Sequence, residues 1–170
     1  MKNNQSLMQL ESSDLLQAIR DQFILSITDV RGIIIDVNDT FCEISQYSKE
    51  ELIGRDHRII NSGLHQTSFF TEMWETICSG KSWRGEMCNR AKDGSIYWVD
   101  SVISPIRNES GEIERFVSIR SDITQKKLQQ SETSDLLNTI RQEYIMSITD
   151  VKGNIVDVND AFCKISQYSR

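Results

Sequence analysis

The 170-residue chain has no run approaching the ~18 consecutive apolar residues of a membrane span. Its polar start, MKNNQS, lacks the charged-then-apolar pattern of a secretory leader. A cytoplasmic location is therefore expected. The four cysteines, Cys42, Cys78, Cys88 and Cys163, show no C-x-x-C spacing, so reduced core thiols are the expectation. Clustered Lys and Arg are missing as well: a net charge of −6 argues against a nucleic-acid surface, because phosphate binding needs such clusters. The sequence offers no paired carboxylates at a credible site, no Ser-His or Cys-His nucleophile, no metal-ligand cluster and no phosphate-cradling glycine loop, and no enzymatic activity is expected.

What is present is an ordinary composition, 38% hydrophobic and 26% charged, enough for one packed domain and a fragment. It is also repeated. SITDVRGIIIDVNDTFCEISQYSK near the start returns as SITDVKGNIVDVNDAFCKISQYSR at the end, with Ser26 matching Ser147, Asn38 matching Asn159 and Lys49 matching Arg170 at a constant offset of 121 residues. The match extends back through SSDLLQAIRDQFIL and TSDLLNTIRQEYIM. Such a spacing is far longer than the ~20–50 residues of solenoid repeats and sits at the common size of a whole domain. Residues 145–170 are thus expected to be the opening of a second, truncated domain.

Leu7, Leu10, Leu15 and Ile19 lie near helical spacing, predicting an amphipathic N-terminal helix within residues 1–22, with Ser12-Ser13-Asp14 either interrupting it or capping its second half. FILSITD and IIIDVN, joined at Arg31-Gly32, read as a hairpin. Asn38 or Asp39 can cap a short helix through DTFCEIS, and SKEEL has the form of a capping box. QTSFFTEMWETICSG carries Phe69, Met73, Trp74 and Ile77 on one stripe, with Gly80 closing the helix. Three strands follow, SWRGEMCNRA, SIYWVDSVISPI and RFVSIRSDIT, separated by KDGS and NESGE turns. The order describes an α+β domain over residues 23–125, with one five-stranded antiparallel sheet and short helices on one face. Residues 126–144 read as a helical connector. Apolar residues on both faces of SIYWVDSVI predict a sheet covered on both sides, the N-terminal helix of the same chain or of a partner being the expected cover.

Two side chains stand out. Trp83, Gly85, Met87 and Asn89 share one strand face, and Asn89 does not suit a core. A buried amide needs a partner, either a backbone group across the sheet or a polar ligand edge. Arg120, if buried, demands an anionic or multiply accepting partner; the alternative is exposure beside an Asp.

D-x-x-G-x-I-x-D-V-N-D-x-F from Asp29, Q-Y-S-K-E-E-L-I-G-R from Gln46, W-R-G-E from Trp83, N-R-A-K-D-G-S-I-Y-W-V from Asn89 and S-I-R-S-D-I-T from Ser118 together resemble a PAS sensor domain. The W-x-G and N-R-x-K-x-G-x-x-Y-W-V segments are similar to the flavin-binding PAS domain of bacterial aerotaxis receptors. The resemblance implies a PAS fold, non-covalent FAD, and a redox or oxygen sensor of a bacterial chemotaxis-type signalling protein. It further implies a homodimer through the N-terminal and connector helices, and an output domain beyond Arg170. In light-oxygen-voltage domains the photoreactive cysteine lies in G-R-N-C-R-F-L-Q, which aligns with Gly54–Asn61, so His57 replaces it and thiol photochemistry is excluded there. Asn89 matches the first flavin-facing asparagine of that branch, Val99 replaces the second, and Arg120 stands at the glutamine that reads the flavin edge.

By this resemblance His57, Arg58 and Asn61 lie where ribose or phosphate would emerge, and Asn89, Val99 and Arg120 where the ring would sit. Gly85 would admit a flat ring, Trp83 would either stack on it or fill core, and Asn38 and Trp74 complete the expected cofactor-binding set. The rival readings are a haem-binding PAS gas sensor of a kinase or cyclase, with His65 as ligand, and a cofactor-free dimerisation and relay module. The haem option is weakened because the usual ligand position falls on Phe69.

Overall fold

A computed structural model describes residues 12–169; the expected helical positions Leu7 and Leu10 lie outside that range. The chain divides into two compact units that meet between Thr124 and Gln125. In the first, α1 (Ser12–Gln22) leads into β1 (Ile24–Asp29) and β2 (Ile34–Val37). Then come α2 (Asp39–Ser45), α3 (Lys49–Leu52), a 3-10 turn (His57–Ile60) and α4 (Thr67–Cys78). β3 (Trp83–Arg90), β4 (Ile96–Arg107) and β5 (Ile113–Asp122) close an antiparallel five-stranded sheet ordered β2-β1-β5-β4-β3.

Local chemistry sets these elements. Asn38 is the N-cap of α2, its Oδ1 accepting from Phe41 N at 3.1 Å and Leu25 N at 2.8 Å, while its Nδ2 donates to the carbonyls of Arg20 and Phe23 at 2.7 Å each. One amide therefore ties the end of α1, the start of β1 and the start of α2 together. Ser48 and Glu51 form the expected capping box at α3. Inward residues of the sheet alternate as period two requires, Tyr97, Val99, Ser101 and Ile103 all being buried on β4.

Two apolar clusters result. Ile24, Ile34, Phe41, Leu52, Ile60 and Val99 pack around the hairpin end, and Met73, Ile77, Trp83, Ile103 and Phe116 pack under α4. The loop after the 3-10 turn covers the sheet edge at β3: the Ser62 hydroxyl donates to the Cys88 carbonyl at 2.6 Å and Cys88 N–H donates to His65 Nε2 at 2.8 Å. On the opposite face, the chain's own N-terminal helix is not the cover. Val102, Ile119 and Ile106 are 37%, 38% and 39% exposed, and α1 packs against α2 rather than over them. Alternation shows that a face can be buried, but it does not name the element that buries it.

The second unit contains most of α5 (Thr124–Glu143), then β6 (Ser147–Thr149), β7 (Ile155–Val158) and α6 (Asp160–Ser166). Its strands form a two-stranded antiparallel sheet, and none of its described residues is fully buried. Among the described residues no helix is long and apolar enough to cross a membrane.

Candidate functional site

Between the two clusters of the first unit lies a cavity of about 260 Å³, just under the ~300–1,000 Å³ of ordinary small-molecule sites. Its walls are apolar, with Ile60 and Met87 on one side and Met73, Trp74, Ile103 and Phe116 on the other. Its inner end is polar, formed by Ser26 and Thr28 of β1, Ser118 and Arg120 of β5, and Asn89 of β3, all buried. Arg31 and Arg58, both exposed, stand at the rim.

Arg120 is 3% exposed and has no carboxylate partner among the described residues. One guanidinium NH2 group donates to Ser26 Oγ at 3.0 Å and the other to His57 Nε2, also at 3.0 Å. Its Nε, like the Ser118 hydroxyl, has no hydrogen-bond partner among the described residues. Burial lowers the guanidinium pKa to about 10 despite the opposing pull of Tyr97, so the group keeps its charge at neutral pH. Such a charge among neutral groups is costly unless an acceptor meets it.

His57 serves as an acceptor. Arginine can only donate, so His57 Nε2 must carry a lone pair and the ring proton must sit on Nδ1. Part of the residue reaches solvent, yet burial of the ring, followed by the Arg120 charge, lowers its pKa to about 3. The imidazole stands edge-on to Phe41, with centroids 5.7 Å apart. Asn89, 6% exposed, faces Tyr97 across the β3–β4 pair, and its side chain draws the Tyr97 phenol pKa down. Burial nonetheless raises the Tyr97 phenol to about 12. The primary amide of Asn89 carries both donor and acceptor capacity toward a polar ligand edge.

The cavity unites six of the ten residues expected from sequence: His57, Arg58, Asn61, Trp74, Asn89 and Arg120. Arg58 is paired with Asp56 at 2.6 Å, and the Asn61 side chain accepts from Gly63 N–H at 2.9 Å, so both sit at the rim with local partners. The other four lie elsewhere. Asn38 is committed to the backbone junction described above. Val99 is fully buried in the core around the hairpin end. Trp83 packs edge-on against Phe69 with centroids 5.4 Å apart, and it fills core. Gly85 is a glycine for a reason other than ligand approach: a Cβ there would come within 2.6 Å of the Trp83 indole, which lies across it. His65 is not a cavity residue; its Nε2 is engaged by Cys88 N–H and its ring stacks on Phe69.

Ser26, Thr28 and Ser118 were not singled out from sequence, although period two in ILSITD and RFVSIR places them inward. A serine at an inward strand position is the signal that could have found them. Among the described residues no group of three or more His, Cys, Asp or Glu side chains could hold a metal ion.

The sequence profile of the PAS domain matches residues 21–125 and 143–170. The chain is 35% identical over 100 residues to the nitrogen fixation regulatory protein of Klebsiella pneumoniae, covering 59% of this chain and 20% of that protein. It is 34% identical over 108 residues to the aerotaxis receptor of Escherichia coli K12, covering 64% and 21%. It therefore spans about a fifth of the length of these curated relatives. Among solved structures, the PAS domain of a protein from Colwellia psychrerythraea superposes with a TM-score of 0.53 at 28% identity, covering 66% of this chain and 97% of that one. With its five-stranded antiparallel sheet, its helices on one face and a profile match over most of its length, the chain belongs to the PAS domain family.

Proposed function

We propose that this chain is the redox- or oxygen-sensing input of a bacterial signal-transduction protein, of the aerotaxis type, and that its cavity holds the ring of a non-covalent FAD. The observation that carries this reading is Arg120: a buried cation with only neutral partners, an unpartnered Nε and an unpartnered Ser118 hydroxyl beside it. The pyrimidine edge of a flavin presents acceptor, donor and acceptor in a row, which suits a guanidinium, a serine and the free capacity of Asn89. The apolar walls suit the rest of a flat ring. A cavity of this size takes a ring system but not a whole dinucleotide, so the ribose and phosphates would leave past His57, Arg58 and Arg31. When bound, FAD supplies reversible electron transfer.

The protein's part is electrostatic and mechanical. Arg120 lowers the energy of negative charge placed beside it, by an amount that grows as water is excluded. It lies on β5 two residues before Asp122, whose carboxylate accepts from Thr124 N–H at 2.8 Å at the start of α5. A change in hydrogen bonding at Arg120 thus bears on the strand that feeds this helix. In this reading the module works in the cytoplasm as a homodimer through α1 and α5, and passes its signal to an output domain beyond Arg170.

The visible spectrum of the purified chain tests the cofactor. A flavin spectrum is expected, and Arg120→Met should lose it while keeping its far-ultraviolet circular dichroism. A haem spectrum, or a colourless protein that takes up no FAD when titrated, overturns the reading in favour of a gas sensor or a cofactor-free relay.

A further inference from the structure

The inner end of the cavity offers more donors than acceptors. A guanidinium can only donate, and Arg120 spends one N–H of each terminal nitrogen on Ser26 Oγ and His57 Nε2. Its Nε–H has no partner among the described residues, and each terminal nitrogen keeps a second N–H. Ser118 Oγ, 4% exposed and likewise unpartnered, stands two residues earlier on the same face of β5, directly across the strand pair from Ser26.

Charge is as uneven as hydrogen bonding. Arg31, Arg58 and Arg120 line the cavity against a single carboxylate, Asp56, which is bound to Arg58 at the rim. The other polar side chains at the inner end, Ser26, Thr28, Ser118 and Asn89, are neutral. A buried cation in such surroundings is stabilised most by an anion that also accepts hydrogen bonds. The edge of a flavin is neutral and sets a donor between its two acceptors, so it meets part of the donor surplus and none of the charge. A carboxylate meets both: ionised, it only accepts, and its two oxygens match the side-by-side N–H groups of a guanidinium. Beyond the polar end the walls are apolar, with Met73, Trp74 and Phe116 facing Ile60 and Met87. At about 260 Å³ the space suits one ring or two fused rings.

We propose that the inner end of this cavity is a site for a small aromatic carboxylate, its carboxylate on Arg120 and Ser118 and its ring between Met73 and Met87. The site needs no flavin. Because acid and flavin ring claim the same donors, they exclude each other, and such an acid is a second input to the module.

Benzoate and its neutral isostere benzamide test the assignment by calorimetry on the flavin-free full chain. Benzoate should bind about tenfold more tightly or better, because a hydrogen-bonded charge pair replaces a neutral contact. Arg120→Met should erase that preference while benzamide binding stays measurable, which separates lost charge from a lost cavity. Arg31→Gln with Arg58→Gln should leave the preference within about twofold, since exposed charges are screened. In the unmodified chain the Arg120 Nε–H resonance should move further with benzoate than with benzamide, a reading that depends on no variant folding. Equal affinities, a preference that survives Arg120→Met, or one that vanishes with the rim arginines would each overturn the proposal. A chain that takes up no FAD yet prefers benzoate overturns only the flavin reading. One that holds FAD but treats the two probes alike overturns only this one. Where FAD is bound, benzoate should release it and benzamide should not.

Discussion

The stretches 24–47 and 145–168 share 18 of their 24 residues and the same local structure, yet among the described residues one is core and the other is surface. Asn38 and Asn159 cap equivalent helices with equivalent bonds, and Gln46 and Gln167 end them in the left-handed region at φ 59° and 62°. Ile34, however, is 1% exposed and Ile155 56%. Conformation here follows from short-range chemistry: a cap, a turn aspartate, a glycine at positive φ. Burial follows from whether β5 and α4 are there to cover the hairpin.

The largest contrast should come from the paired phenylalanines. Phe41 is 1% exposed and faces the His57 ring and the Arg120 guanidinium, so Phe41→Ala should cost about 3–5 kcal/mol. Phe162 has the same cap and helix but is only half-buried, and Phe162→Ala should change stability by about 0.5 kcal/mol or less. Urea denaturation of both variants checks this; equal losses would overturn it.

Acid should separate the copies next. The folded chain resists protonating His57 until about pH 3, whereas an unfolded histidine titrates near 6.5. The unfolded state therefore binds more protons in between, and stability falls as pH drops through that window, by about 2 kcal/mol at pH 5. His65, its pKa also lowered by burial, adds in the same direction. His57→Gln should flatten most of the slope in melting temperature between pH 6.5 and 5. The second unit has no histidine, so amide spectra of residues 145–168 should stay constant over that range.

The smallest contrast concerns two turn glycines. Gly32 and Gly153 sit at φ 83° and 87°, so alanine at either costs roughly 1 kcal/mol of backbone strain. At Gly32 the new methyl would also lie 3.2 Å from the Trp74 indole, whereas nothing lies within 4 Å at Gly153. Gly32→Ala should therefore be the more destabilising by a fraction of a kcal/mol, and it alone should shift tryptophan fluorescence, since Trp74, Trp83 and Trp98 all belong to the first unit.

The hairpins, the caps at Asn38 and Ser48, the α4 stripe and the three long strands were legible because each is written in neighbouring residues or in a short period. Arg120 and Asn89 were legible as anomalies, polar groups at inward positions of strands. Asn38 and Gly85 misled in the opposite way. Their residue types suit a ligand, but one is spent on three backbone segments and the other makes room for the indole two residues away.

Sequence alone determined the duplication, the α+β order and which strand faces are apolar, since these rest on local propensity and alternation. Tertiary structure decided what those faces meet. It brought Ser26, His57 and Arg120 together from β1, the 3-10 turn and β5, left the guanidinium without a counter-charge among the described residues, and turned Trp83 across Gly85. It also buried one copy of the repeat and exposed the other, because burial depends on the surfaces that surround a segment and not on the segment itself.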